Sequence, residues 1–315
     1  MTRLTSVVVF VALAGLAPAS VPRDEAFPIH ELPPNLRARA EAVLLRALDT
    51  EALYTVVGGI KPMSSGFVSH RESVDTPDLT RIEETRRILR ALRCGTELIW
   101  ELHHFARPFD AMRSLEGVVF NGPSLRRLMV ERSGFFGFFG LTPSANPMEV
   151  VMAVEYADQP GRHRGYGYLF GYPRHAVDFF VEAQAEQRRT GTFVERDFFQ
   201  VETFAAETGR FVWAVPKGHV PNDADLEIRQ RAEKILAYYR SVRPRYIGEG
   251  RPGVVALLRD WMDDGRGRLS SAEAMRKVDA WWQSRERGPT QAPSRVGQGA
   301  NRARAAWLPA GTPAF

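Results

Sequence analysis

Glu101 and His103 stand two residues apart in a stretch, Thr96 to Phe105, where Leu98, Trp100 and Leu102 recur at every second position. That period predicts a strand, with Glu101 and His103 leaving one face roughly 7 Å apart. A carboxylate beside an imidazole suits general acid–base catalysis, or two ligands of a metal ion. Asp110, just past Pro108, is the third member of the candidate set. On these residues the chain would be a hydrolase or lyase. No His-Glu-x-x-His or other ligand motif accompanies them, so neither a metal nor a cofactor is expected.

Phe135-Phe136-Gly137-Phe138-Phe139-Gly140 is the most unusual local sequence. Four phenylalanines in one short segment are either a plug in the core or a lip that contacts lipid or another apolar partner. Gly165, Gly167 and Gly171 interleave with aromatics in Gly-Tyr-Gly-Tyr-Leu-Phe-Gly. The spacing departs from G-x-G-x-x-G, and Leu169 stands where a nucleophile elbow needs Ser, so close packing is the expected use. Lys61 and Ser64 reverse the order of Ser-x-x-Lys hydrolases. His70, His163, His175 and His219 each lack a nearby ligand partner in sequence, and His175 with Asp178, three residues on, reads as a surface pair.

The elements that must position these groups alternate irregularly. Pro33-Pro34 opens a helix to about Leu48, with Leu36, Ala40, Val43, Leu44 and Ala47 on one face. Thr76-Pro77 opens a second, with Leu79, Ile82, Leu89 and Leu92 expected inward. Leu115–Phe120 is a strand, a helix begins at Ser124, and Asn146-Pro147-Met148-Glu149 is a strong helix start. Tyr166–Tyr172 reads as a buried strand, and Pro173 starts a helix carrying Val177, Phe180 and Ala183. Phe198–Phe204 and Phe211–Val215 form a hairpin around Thr208-Gly209, and Asn222 caps a long helix. Strands spaced so unevenly predict an α+β domain.

The 315 residues divide into four parts. Residues 1–19 carry Arg3, an apolar run from Val7 to Leu16 and Ala17-Pro18-Ala19, the pattern of a signal peptide cut between Ala19 and Ser20. The run is about half the length a membrane-crossing helix needs, so no span is expected in the mature chain. Residues 20–250 form the α+β domain, 251–284 a helix-loop-helix, and 285–315 a basic tail rich in Gly, Pro and Arg, expected to be disordered. From Arg285 onward five arginines stand against one glutamate. With those and Arg3 set aside, the 42 basic and 37 acidic residues leave 36 of each in residues 20–284. A folded part of zero net charge has no field to gather phosphate, which argues against nucleic acid as a partner. The single Cys94 can form no internal disulfide and reads as a small buried hydrophobe.

Met262 to Glu273 resembles an EF-hand. Leu258 and Trp261 precede it, and Asp264, Gly267, Leu269 and Glu273 fall at loop positions 3, 6, 8 and 12. Met262 at position 1 and Arg266 at position 5 depart from the pattern where calcium requires oxygen. The resemblance therefore implies a helix-loop-helix without a calcium ion. Asp263-Asp264-Gly265 makes the turn, and Ser270-x-x-Glu273 caps the next helix.

Two functions follow. The preferred one is an exported, non-catalytic protein, secreted or periplasmic, that touches an envelope surface or an apolar ligand near Phe135, Phe136, Phe138 and Phe139. The alternative is the hydrolase or lyase of Glu101, His103 and Asp110.

Overall fold

The computed structural model describes residues 20–205 and 211–286, so the signal segment, the hairpin tip at Thr208-Gly209 and the tail from 287 onward lie outside the described residues. In chain order the elements are β1 (Val21–Pro22), α1 (Pro34–Asp49), α2 (Leu53–Val56), β2 (Met63–Ser64), β3 (Ser69–Ser73), α3 (Leu79–Arg90), β4 (Leu98–His104) and β5 (Met112–Asn121). They continue with α4 (Gly122–Glu131), α5 (Ser133–Phe138), α6 (Pro147–Glu155), α7 (Gln159–Leu169), α8 (Arg174–Thr190), β6 (Arg196–Val201) and β7 (Phe211–Pro216). Last come α9 (Asp223–Tyr246), α10 (Val254–Met262), β8 (Arg268–Leu269) and α11 (Ser271–Glu286). The architecture is α+β.

β5 is the spine of the main sheet. β2 and β3 pair in succession along one edge and β4 along the other, all antiparallel. Alternation then divides the core in two. Leu98, Trp100, Leu102, Leu115 and Val119 join a cluster with α1 and α3, whereas Val118 and Phe120 join one with α4, α6 and α7. Glu101, His103 and Glu116 share the second face by register, since Glu101 pairs with Val118 and His103 with Glu116.

Local signals set most boundaries. Asn146 accepts the N–H of Met148 at the start of α6, and Asn222 and Asp225 form a capping box at the start of α9. At α3 the cap is Asp78, which accepts from Arg81 N–H, and Leu79 points to solvent instead of inward. One segment departs from its expected type: Tyr166–Leu169 ends helix α7 and is no strand. Tyr166, Leu169 and Phe170 follow the helical period, and the glycines between them admit the neighbouring helices. A Cβ on Gly165 would lie 2.6 Å from Val154 of α6, and one on Gly167 2.8 Å from Val177 of α8.

β6 and β7 pair as a hairpin under α8 and α9. α10 and α11 form the helix-loop-helix and bury Leu257, Leu258, Trp261, Ala274 and Val278 in the same cluster as α1. Between them β8 pairs antiparallel with β1, Val21 opposite Leu269, so the segment is tied to the start of the domain.

Candidate functional site

Glu101 is held by arginines. Its carboxylate lies 3.4 Å from the Arg86 guanidinium and 2.9 Å from that of Arg90, both on α3. His103 is buried beneath α7, where its Nε2 lies 2.9 Å from the Tyr166 hydroxyl. That hydroxyl donates to Glu155 Oε2 at 2.7 Å. Arg162, on the next turn, donates to the same oxygen at 3.0 Å, and Ala106 N–H to Oε1 at 2.8 Å. Burial pushes the His103 imidazole down to about 4 and raises the Tyr166 phenol. Across the ladder, burial raises the Glu116 carboxyl as well. The result is a polar inset between the sheet and the α6–α7 layer, able to hold a proton but sealed by apolar neighbours.

Asp110 sits elsewhere. It and Ala111 have φ of +48° and +55°, the conformation of a tight hairpin turn closed by Phe109 and Met112. The exposed Asp110 serves that turn, and the ladder sets it beyond the end of β4. Neither the cavity beside the α10–α11 loop nor the one between α4 and α11 is lined by Glu101, His103 or Asp110.

The phenylalanine segment forms the short helix α5, which splits its side chains by depth. Phe136 is fully buried, Phe135 and Phe139 are half-buried, and Phe138 is 83% exposed. The rings of Phe135, Phe136, Phe138 and Phe139 meet edge to face at 5.1–5.4 Å.

In the α10–α11 loop the carboxylates are already engaged. Asp263 accepts Gly265 N–H at 2.7 Å and Asp264 accepts Arg266 N–H at 2.8 Å. Arg23 bonds Asp263 at 2.8 Å, and Lys277 donates to the carbonyls of Asp260 and Asp263. Met262 is buried in the core, and Glu273 is paired with Arg276. Three side-chain cations, Arg23, Lys277 and Arg276, thus occupy the surroundings in which a calcium ion would need free oxygens.

Other singled-out residues have partners of their own. Lys61 is buried, 2.6 Å from Glu51 and over the Phe211 ring, and burial lowers its amine. Ser64 bonds Thr55 at 2.8 Å. His70 bonds Thr85 at 2.8 Å, and His163 lies edge-on to Phe180. Cys94 is buried, and burial raises its thiol to about 12, which leaves little thiolate.

One constellation is not visible in the spacing of the sequence. His175 at the start of α8, His219 in the loop after β7, and Asp225 in the first turn of α9 place their donor atoms within 4.8 Å of one another. His219 Nε2 lies 2.7 Å from Asp225 Oδ2, and His175 Nε2 lies 3.2 Å from Oδ1. Trp213 Nε1 donates to Oδ1 at 3.0 Å and Asn222 N–H to Oδ2 at 3.1 Å. Burial acts to raise this carboxyl, but the bonds from His219, Asn222 and Trp213 outweigh it and hold Asp225 below the usual range. Asp178, the partner expected for His175, pairs with Arg164 and Arg174 instead. The capping box Asn222-x-x-Asp225, with His219 three residues ahead, was the available signal. His175 enters only through the fold.

Comparison with protein-family models, curated proteins and solved structures finds no match to this chain.

Proposed function

We propose that this protein is exported, begins at Ser20 when mature, and works in the periplasm or outside the cell as a non-catalytic binding protein. Its working surface is the α5 turn, which inserts into the acyl region of an envelope lipid surface. One observation carries this reading: Phe138 stands 83% exposed at the end of a helix whose other aromatic rings anchor it to the core. A large ring held out in water costs free energy that contact with an apolar partner recovers. Among the described residues no helix is long and apolar enough to cross a membrane, so contact of this kind would be peripheral.

Glu101, His103 and Asp110 give the hydrolase or lyase reading less support. Glu101 is neutralised by two arginines, His103 is sealed under α7, and Asp110 serves a turn.

Sedimentation of the mature protein with lipid vesicles, zwitterionic and anionic, tests the proposal. Binding that Phe138→Ser abolishes while leaving the denaturation midpoint unchanged is the expected result. Absence of binding, or equal binding by the variant, overturns it. Terminal sequencing of the exported protein tests the start at Ser20, and retained Met1 or Arg3 would refute export by cleavage.

A further inference from the structure

We propose that His175, His219 and Asp225 form a binding site for one first-row divalent cation of the zinc class, with solvent completing its coordination. Two imidazole nitrogens and one carboxylate oxygen are a ligand set that suits zinc far better than calcium or magnesium, which take oxygen shells. The Nε2 atoms approach the two carboxylate oxygens at 3.2 and 2.7 Å. Small rotations therefore let one ion with bonds of about 2.0–2.2 Å touch all three residues.

The surroundings match such a centre in three respects. Asp225 is fully buried, and Trp213 and the Asn222 N–H fix its carboxylate, as outer partners fix the ligands of metal sites. His175 and His219 are only half-buried, which leaves one side open for an ion to enter and for water to bind. The Nε2 of His175 is shielded from solvent and makes no hydrogen bond among the described residues, and it lies 3.2 Å from Asp225 Oδ1, itself a ligand of the proposed ion. The first turns of α8 and α9 oppose a cation through their dipoles, and the Asp225 carboxylate supplies the counter-charge.

Ligation by His175 Nε2 requires its proton to sit on Nδ1, which lies 3.2 Å from the Asn222 amide nitrogen. With the proton there the contact sets donor against donor, so the Asn222 amide must draw back as the ion enters while its Oδ1 keeps the Ala224 and Asp225 N–H groups of the cap. Asn222→Asp keeps a good helix cap and offers the Nδ1–H an acceptor, so it should bind the ion at least as tightly as the wild type.

The test is a titration of the full mature chain with Co2+, followed by its visible absorption and reversed by Zn2+ competition. One saturable equivalent is expected, weakened by more than about tenfold in His175→Gln or His219→Gln and retained in Asn222→Asp. No saturable one-to-one binding, or wild-type affinity in the double variant His175→Gln with His219→Gln, would overturn the site. Should the double variant fail to fold, chemical modification of histidines in the wild type, mapped by peptide mass, decides the same question. Zn2+ protection selective for His175 and His219 supports the site, and its absence there refutes it.

Discussion

The Nε2 of His103 lies 2.9 Å from the hydroxyl of Tyr166, and because that hydroxyl donates to Glu155, the imidazole is the donor in the contact. The ring's free lone pair is then on Nδ1, which is buried without a hydrogen-bond partner. A histidine in this state is neutral and buried. The alternation of β4 sets it on the face covered by α7, where the Tyr166 hydroxyl meets it.

This burial gives stability a pH dependence. Burial holds the His103 imidazole at about 4 in the fold, against 6.5 for the free side chain. The unfolded chain takes up the proton as pH falls through 6.5, whereas the folded chain resists it until about 4. The unfolded state therefore binds more protons across that window, and stability present above pH 6.5 is lost on acidification, by up to about 3 kcal/mol from this residue. His163, also held at about 4 by burial, adds in the same direction. Urea denaturation at pH 7 and pH 4.5 should show a shallower loss in His103→Gln than in the wild type. Identical losses would exclude His103 as a source.

Depth along α5 predicts opposite outcomes for neighbouring rings. Phe136→Ala empties a fully buried site and should cost about 3–5 kcal/mol. Phe138→Ser, on the exposed ring, should stay within about 0.5 kcal/mol of the wild type. Chemical denaturation of the two single variants measures both.

Two glycines make a similar contrast. Gly165→Ala would place a methyl 2.6 Å from Val154 and should cost about 1–3 kcal/mol through overpacking. Gly137 on α5 has nothing within 4 Å of the added methyl, and Gly137→Ala should be neutral or stabilising by up to about 1 kcal/mol. Thermal denaturation of the pair would show the difference in sign.

Calcium should leave the α10–α11 loop unaffected. With Met262 in the core, and Arg23 and Lys277 bonded to the loop oxygens, no binding is expected below about millimolar calcium. Calorimetry of the wild type should give no heat of binding. A micromolar constant lost in Glu273→Gln would contradict the geometry.

What the sequence made legible was what neighbouring residues decide among themselves. The caps at Asn146 and Asn222, the apolar face of α1, and the alternation of β4 and of the β6–β7 hairpin are local, and the fold follows them. Tyr166–Leu169 misled because aromatics between glycines fit a strand, while the reason for the glycines lies in Val154 and Val177 on other helices. The ring depths of α5 were open for the same reason, since only the packing of α4, α6 and α7 separates Phe136 from Phe138. The His175–His219–Asp225 cluster was invisible to spacing. Its parts come from two helix starts and a loop that meet only when α8 and α9 close over the hairpin.

The pairing of β1 with β8 has a consequence for the order of events in the life of the chain. Ser20 and Arg268, which bond at the edge of that pair, are 248 residues apart. Until the ribosome has delivered Leu269, Val21 and Pro22 have no strand to join, and the closing contact of the domain cannot form. The segment from Ser20 to Pro22 is therefore without its strand partner until most of the domain has been made.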